Sequence, residues 1–518
     1  IIIDEYAEMI DDNPDYRAEL ESITRVGRSV GLNLVLASQR PKGVSEQMRA
    51  NIKLRLCLRV EDVETSRELL RRPDAALLPS GQPGRGYLQV GGDTIELIQV
   101  GFAGVETDQI NAKGENVRFF EAAVALASSL NKGAMAARPW PAFLPQELSL
   151  ESPVFDKEHK PFVLLPQLQN WKAGDATGWQ QFQWDTALKP VVGLLDDPAE
   201  AKQEPLTLNL RQHHVAIFGD SGSGKTVLLR SLLLSLVATH PPDALHLYVL
   251  DFGGSSFLSF ANVPHMGALL SSTEQTFDER MQRVFARLER QVDLYQQRIT
   301  EAGATDLDSY NKRFPDQALP LTVVVIDNFA EFRERYETLL EQTLLPLVRR
   351  ALSVGITFVV AANITGNIPG KLYALFSGRL TLRQVNTDAY ADIVGSGAIE
   401  FAELPGRGYI RREGRPMLIQ IAQPLDEFMT NQASSSDSDP MKPVLGPMEQ
   451  QPVPRHKLPE PVHILETIVP LNEVLANPPL PGLVAQIGKR SDLKTATINL
   501  PHLGPHLMIA GPSFSGKT

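Results

Sequence analysis

Short, almost wholly apolar runs alternate along this chain with longer stretches whose apolar positions recur every three or four residues. Val215–Phe218, His246–Asp251, Leu321–Asp327 and Ile356–Ala362 have the look of strands buried on both faces. Between them, the stretch after Val215–Phe218 through Ala238, then Glu274–Ile299 and Arg335–Leu352, carry helical spacing. Tyr409–Ile421 alternates about Glu413-Gly414 and predicts a hairpin. Strand–helix alternation of this kind predicts an α/β fold with a mainly parallel sheet covered by helices on both faces.

The pattern repeats. IIIDEYAEM at Ile1–Met9 answers VVIDNFAEF at Val324–Phe332, and Ser29–Pro41 answers Ser353–Thr365 at an offset of 324. PGRGY recurs at Pro83 and Pro405, an offset of 322. A second likeness joins Thr207–Thr226 to Thr497–Thr518. Three tandem modules are therefore represented: 1–105 as the later part of a first, 191–424 as a complete second, and 484–518 as the start of a third. Residues 106–190 and 425–483 are expected to link them. The first linker turns proline-rich at Ala137–Pro145, and the second contains Ala433–Pro440, ASSSDSDP, where flexibility is expected. Ile1–Asp4 reads as the end of a strand whose domain lies upstream, and the last residues as a loop awaiting its helix, so a piece of a longer protein is expected.

Composition narrows the class. With 518 residues, 43% apolar and 21% charged, the chain is ordinary core-forming protein. A formal charge of −11 argues against a broad basic coat for gripping nucleic acid, although a local basic groove stays open. One cysteine, Cys57, excludes an intramolecular disulfide and a cysteine-rich zinc site; a small core residue is the expected role. No apolar stretch reaches the ~18 residues of a membrane span, and Val227–Ala238 is broken by Arg230.

The chemistry lies in the glycine loops. GDSGSGKT (Gly219, Asp220, Ser221, Gly222, Ser223, Gly224, Lys225, Thr226) fits GxxxxGK[ST], as does GPSFSGKT (Gly511, Pro512, Ser513, Phe514, Ser515, Gly516, Lys517, Thr518). In such a loop backbone N–H groups face phosphate oxygens, the lysine reaches the β/γ phosphates and the threonine hydroxyl binds Mg²⁺. A glycine turn before a helix is the plain alternative; two matches inside a longer repeat count against it. ATP and Mg²⁺ are the expected ligands. Asp4 and Asp327 end apolar strands where a carboxylate would hold the Mg²⁺ shell, so the metal set is Asp4, Thr226, Asp327 and Thr518. Glu5 stands where a general base orients water, whereas Asn328 follows Asp327. Arg28 pairs with Leu352 in the repeat, and Gln39 with Asn363. The first module thus keeps a carboxylate, an arginine and a glutamine that the second lacks, so the first is expected to hydrolyse and the second to bind nucleotide with little or no hydrolysis.

Two lookalikes carry less. Asp251-Phe252-Gly253 spells a kinase triplet without the other kinase motifs, so a strand-end aspartate near the phosphate loop is the better reading. His213-His214 has no partner at metal-ligand spacing and reads as a solvated strand entry.

Taken together, IIIDEYAEM, VGRSVGLNLVLASQRP, GLLDDPAEAKQEPL, LYVLDFGG and PWPAFLP resemble the FtsK/SpoIIIE branch of RecA-like motor ATPases, and within it the EccC/EssC ATPases of type VII secretion. The resemblance implies tandem RecA-like P-loop modules in a membrane-anchored export motor at the cytoplasmic face of the bacterial plasma membrane. It implies small helical WXG100-type substrates, membrane secretion-complex subunits as partners, and a homo-oligomer, a hexamer in the family. By the family's pattern, Arg28 would be an arginine finger donated to a neighbour, with a helix-surface arginine as the alternative. Trp140 in PWPAFLP would plug a pocket on the first module and restrain it, or else anchor two domains statically. Two other functions compete: a DNA translocase of the same superfamily, and an ATP-dependent assembly scaffold.

Overall fold

The computed structural model describes all residues except 40–43, 92–93, 111–113, 115, 132–140, 156–159, 185–186, 387, 399–403, 430–438, 461, 463–467, 476–481, 491–493, 504–505 and 512–518. Trp140, the serine-rich run 433–438 and Pro512–Thr518 lie outside the described residues. The chain divides into two units, Ile1–Ala137 and Arg138–Thr518.

In the first unit, Ile2–Ile3 pairs in parallel with Val35–Leu36. The helices Tyr6–Asp12, Tyr16–Val26 and Glu46–Asn51 gather about Tyr6, Ile10, Leu20 and Met48. A separate antiparallel sheet joins Leu54–Leu58, Arg85–Val90 and Thr94–Gln99. Cys57 is buried beneath it, and burial pushes its thiol up to about 11.

The second unit is built on a ten-stranded sheet. Its strands are β1 (Val191–Asp197), β2 (Lys202–Thr207), β3 (Val215–Phe218), β4 (Leu245–Asp251), β5 (Met266–Ser271), β6 (Leu321–Asp327), β7 (Ile356–Ala362), β8 (Gly378–Leu382), β9 (Arg407–Arg412) and β10 (Arg415–Ile421). They lie in the order β2-β1-β10-β9-β8-β3-β7-β6-β4-β5. From β8 to β5 every pairing is parallel, and from β8 to β2 every pairing is antiparallel. The expected parallel sheet is present, extended on one side by antiparallel strands. β9 and β10 form the expected hairpin, with Glu413 and Gly414 at φ 51° and 81°. Positive φ at both turn residues matches the twist of the strands they join.

Helix α1 (Lys225–Thr239) follows β3 and is buried along most of its length, as its leucine-rich sequence requires. Helix α2 (Phe277–Glu301) keeps one apolar face inward. The stretch with helical spacing over Arg335–Leu352 is helical from Glu337 onward, but not as a uniform α-helix. Leu340–Leu344 forms a π turn ahead of Pro346, which has no N–H to continue an α-helical ladder.

The core reaches past the 191–424 range. Leu144, Leu148, Leu150, Leu164, Leu165, Leu168 and Trp171 on one side, and Met441, Val444, Leu445 and Met448 on the other, belong to the same buried cluster.

Candidate functional site

Parallel strands deliver their C-terminal ends to one edge of the sheet, and the site assembles there. β3 runs into Gly219–Thr226, and α1 begins at Lys225. Gly222 and Gly224 sit at φ 75° and 107°, a region where a side chain would be strained. Three neighbouring loops hold the glycine loop by its backbone. Gly219 N–H donates to Asn363 O at 3.3 Å, Asp220 N–H to Arg383 O at 2.9 Å, and Gly406 N–H to Ser223 O at 2.9 Å. Lys225 Nζ donates to the carbonyls of Gly219 and Asp220, at 2.5 and 2.8 Å. Burial holds its ammonium below the usual lysine range.

Two strands away, β6 ends at Asp327, whose Oδ2 accepts from Thr226 Oγ1 at 3.4 Å. The sequence-predicted hydroxyl and carboxylate therefore stand together. Burial raises the Asp327 carboxyl, and the neighbouring Asp251 charge adds to the rise, against the Asn328 N–H bond and Lys225. Asp251 is its register partner on β4 and is fully enclosed, accepting from Gly253 and Ser256 N–H at 2.8 and 2.7 Å. This agrees with reading Asp251 as a strand-end aspartate.

The residues fit a magnesium–nucleotide ligand. Hydroxyl and carboxylate oxygens suit a hard divalent cation that keeps several waters. Ser223 Oγ and Asp220 Oδ2, inside the loop, are buried without a protein partner. A Cβ on Gly253 would stand 3.2 Å from Asp327 Oδ2, so glycine keeps that approach open. Among the described residues no cluster of three or more histidine, cysteine or acidic side chains could cage a metal alone.

Asn328 occupies a left-handed turn at φ 53° and donates from Nδ2 to Glu331 Oε2 at 3.2 Å. In the first unit, Glu5 occupies the same kind of turn at φ 50°. There Gln39 Nε2 donates to Glu5 Oε1 at 2.9 Å, bringing together two residues 34 positions apart. Asp4 Oδ1 accepts the Glu5 N–H at 3.1 Å. Arg28 is exposed on the short turn Gly27–Val30.

One expectation fails: His214 is buried rather than solvated. Its ring accepts from Phe358 N–H at 3.0 Å and meets Val348 O at 3.0 Å, and burial lowers its pKa to about 4. A histidine that ties β7 to a helix cannot stay in water. His213 beside it pairs with Ser377 Oγ. Sequence reasoning also missed Gly406 and Gln384, which contact the glycine loop and Asn363 O. Gly406 lies within the repeated PGRGY, which was the available signal.

Residues 176–416 match the FtsK/SpoIIIE family. The chain is similar to the type VII secretion system protein EssC of Staphylococcus aureus, 27% identical over 82% of this chain and 30% of that protein. It is also similar to the ESX secretion system protein EccC of Geobacillus thermodenitrificans, 26% identical over 100% of this chain and 35% of that one. The chain thus spans about a third of the length of these curated relatives. Among solved structures, the cytoplasmic domain of the Thermomonospora curvata type VII secretion ATPase EccC superposes with a TM-score of 0.69, at 22% identity, over 96% of this chain and 55% of that one. EssC ATPases 2 and 3 from Geobacillus thermodenitrificans give 0.54 at 21% identity, over 70% and 62%. Residues 176–416 thus match the FtsK/SpoIIIE family, in a chain with the fold of the EccC/EssC ATPases.

Proposed function

We propose that 191–424 is a module that binds Mg·ATP, within a motor ATPase of a type VII secretion system. The observation that carries the reading is Thr226 Oγ1 at 3.4 Å from Asp327 Oδ2, beside a glycine loop headed by Lys225. Thr226 and Asp327 would hold Mg²⁺, Lys225 the β/γ phosphates, and loop N–H groups the remaining oxygens. The ion supplies charge neutralisation along the phosphate chain. A third site of this kind is proposed at Gly511–Thr518, with Thr518 toward Mg²⁺.

Hydrolysis is assigned to the first module. Glu5 would accept the proton of the attacking water, Gln39 would orient the Glu5 carboxylate, Asp4 would hold Mg²⁺, and Arg28 would serve a neighbouring subunit. The Glu5–Gln39 hydrogen bond supports this division. Asn328 can bind water but cannot take its proton, which supports a slow or inactive second module.

Export of small helical WXG100-type proteins by a membrane-anchored oligomer follows from the resemblance. Trp140 as the restraint on the first module belongs to the same reading. A DNA translocase is the second reading, favoured by the FtsK/SpoIIIE match. The net acidity of the chain weighs against it. Calorimetry of Mg·ATP with the full chain tests the core claim. Lys225→Ala removes a charge-assisted phosphate contact and should weaken binding by about tenfold or more; unchanged affinity would overturn it. Salt-dependent affinity for duplex DNA would move the assignment to the translocase.

A further inference from the structure

Two segments flanking the second module clasp each other across it. Gln423 N–H donates to Leu148 O at 2.7 Å, and Leu150 N–H donates to Gln423 O at 2.9 Å. Side chains lock the same crossing. Ser149 Oγ donates to the Asp426 carboxylate, and Asp426 N–H donates to Glu151 Oε2 at 3.3 Å. Lys172 Nζ bridges Glu151 at 2.8 Å and Glu427 at 3.2 Å. Just upstream, the buried Arg407 guanidinium donates to Leu144 O and Pro145 O, both at 3.0 Å. Segments more than 270 residues apart in sequence thus form one structure.

The clasp walls a cavity of about 290 Å³ that abuts the glycine loop. Its floor is Gly224 and Val227, on either side of Lys225-Thr226, and one wall is Leu404–Gly406. The other wall comes from the clasp: Gln146–Leu148 and Phe428-Met429. A phosphate chain lying along Gly219–Thr226 would leave its sugar and base at this opening. The lining suits a planar heteroaromatic group, with the Phe428 ring to stack on and Gln146 and Glu147 to meet polar edges.

We propose that this cavity takes the base of the nucleotide and that base binding and clasp closure are one linked equilibrium. The inference rests on the nucleotide-binding reading above. Linkage is reciprocal: a base that needs the Phe428 wall in place stabilises the clasp, and a closed clasp tightens the base by the same factor. A nucleotide that is not hydrolysed then serves as a long-lived pin for both flanking segments.

The test compares Mg·ATP with Mg·tripolyphosphate, which has phosphates but no base, by calorimetry on the full chain. Binding lost in Lys225→Ala is the binding at issue. ATP should bind more tightly than tripolyphosphate, and Phe428→Ala should weaken ATP about tenfold while leaving tripolyphosphate unchanged. Lys172→Met, outside the cavity, should weaken ATP several-fold by loosening the clasp. Hydrogen exchange at the Leu150 and Gln423 amides should slow with Mg·ATP and not with Mg·tripolyphosphate. The inference is overturned if Phe428→Ala preserves the ATP-to-tripolyphosphate ratio, or if both ligands protect those amides equally. If Phe428→Ala does not fold, Phe428→Leu and exchange in the unaltered chain decide. Failure of both ligands to bind would instead overturn the nucleotide-binding reading, and this one with it.

Discussion

Helix α1 carries the glycine loop at its start, and its other end has a problem that the sequence creates. The carbonyls of Val237 and Ala238 would normally accept from residues 241 and 242, but Pro241 and Pro242 have no N–H. Two indoles supply the missing donors. Trp171 Nε1 donates to Ala238 O at 2.9 Å, and Trp179 Nε1 to Val237 O at 2.7 Å. The rings meet edge to face, with centroids 4.7 Å apart, and Trp171 is fully buried. Trp171→Phe keeps a ring and removes the donor. The orphaned buried carbonyl should cost about 1–3 kcal/mol. Trp171→Ala adds a cavity and should cost about 3–5 kcal/mol. Urea unfolding of the full chain, followed by the remaining tryptophans, measures both. Hydrogen exchange at the end of α1 should accelerate before global unfolding in the Phe variant. A Phe variant as stable as the parent would show that water or another donor satisfies Ala238 O, and would remove Trp171 from the account of α1.

Two further outcomes follow from buried charge. His214, His240 and His246 are lowered to about 4 and His265 to about 3, all chiefly by burial. The unfolded chain therefore binds more protons below the ordinary histidine pKa of 6.5, and stability should fall as pH drops from about 6.5 toward 4. Each histidine contributes on the order of 2 kcal/mol by pH 5, measurable as a falling urea midpoint; a flat midpoint over that range would contradict the burial of the four rings. Asp327 is raised by burial, so stability falls as pH rises from the ordinary aspartate value of 3.8 through its folded pKa, above which the whole penalty applies. Asp327→Asn should stabilise the metal-free chain at neutral pH, match the parent at pH 3 and lose Mg²⁺-dependent ATP binding. A variant less stable at neutral pH would mean that the charge is well compensated.

Much of this site could be read from the sequence because its signals are local. Gly219–Thr226 needs glycines at fixed spacing, and β6 must be apolar up to Asp327; both leave a continuous trace. The internal repeat added register, since matching Ile1–Met9 to Val324–Phe332 pairs Glu5 with Asn328 before any distance is known. What escaped depends on residues far apart. Pro241-Pro242 announces the end of α1, yet nothing nearby says that Trp171 and Trp179 complete it. The clasp joins Ser149 to Asp426 across the whole module, through serine, lysine and acidic residues that read equally well as solvated linker. His214 was misjudged for the same reason: its partners Val348 and Phe358 lie more than 130 residues away.

The two strand-end turns show what the repeat retains. Glu5 and Asn328 both take left-handed conformations, at φ 50° and 53°. In each, the turn N–H donates to the preceding aspartate, at 3.1 and 2.9 Å, and a fully buried aromatic, Tyr6 or Phe329, follows. A non-glycine residue held there costs on the order of 1 kcal/mol, so keeping it in both units points to the aim of the side chain rather than to stability. Only the cargo differs. Glu5 receives a hydrogen bond from Gln39, whereas Asn328 turns to Glu331 and Phe252 O, and Asn363 offers its backbone carbonyl to Gly219. Asn328→Glu should therefore fold normally and place a carboxylate in an already suitable turn, but without a partner to orient it. ATP turnover of the full chain should rise less than tenfold in Asn328→Glu and by a further tenfold or more when Asn363→Gln is added, within the ~10²–10⁴ range of positioned general bases. Full gain from Asn328→Glu alone would show that orientation by the amide is dispensable. No gain from the pair would move the deficit to Leu352, where the first unit has Arg28.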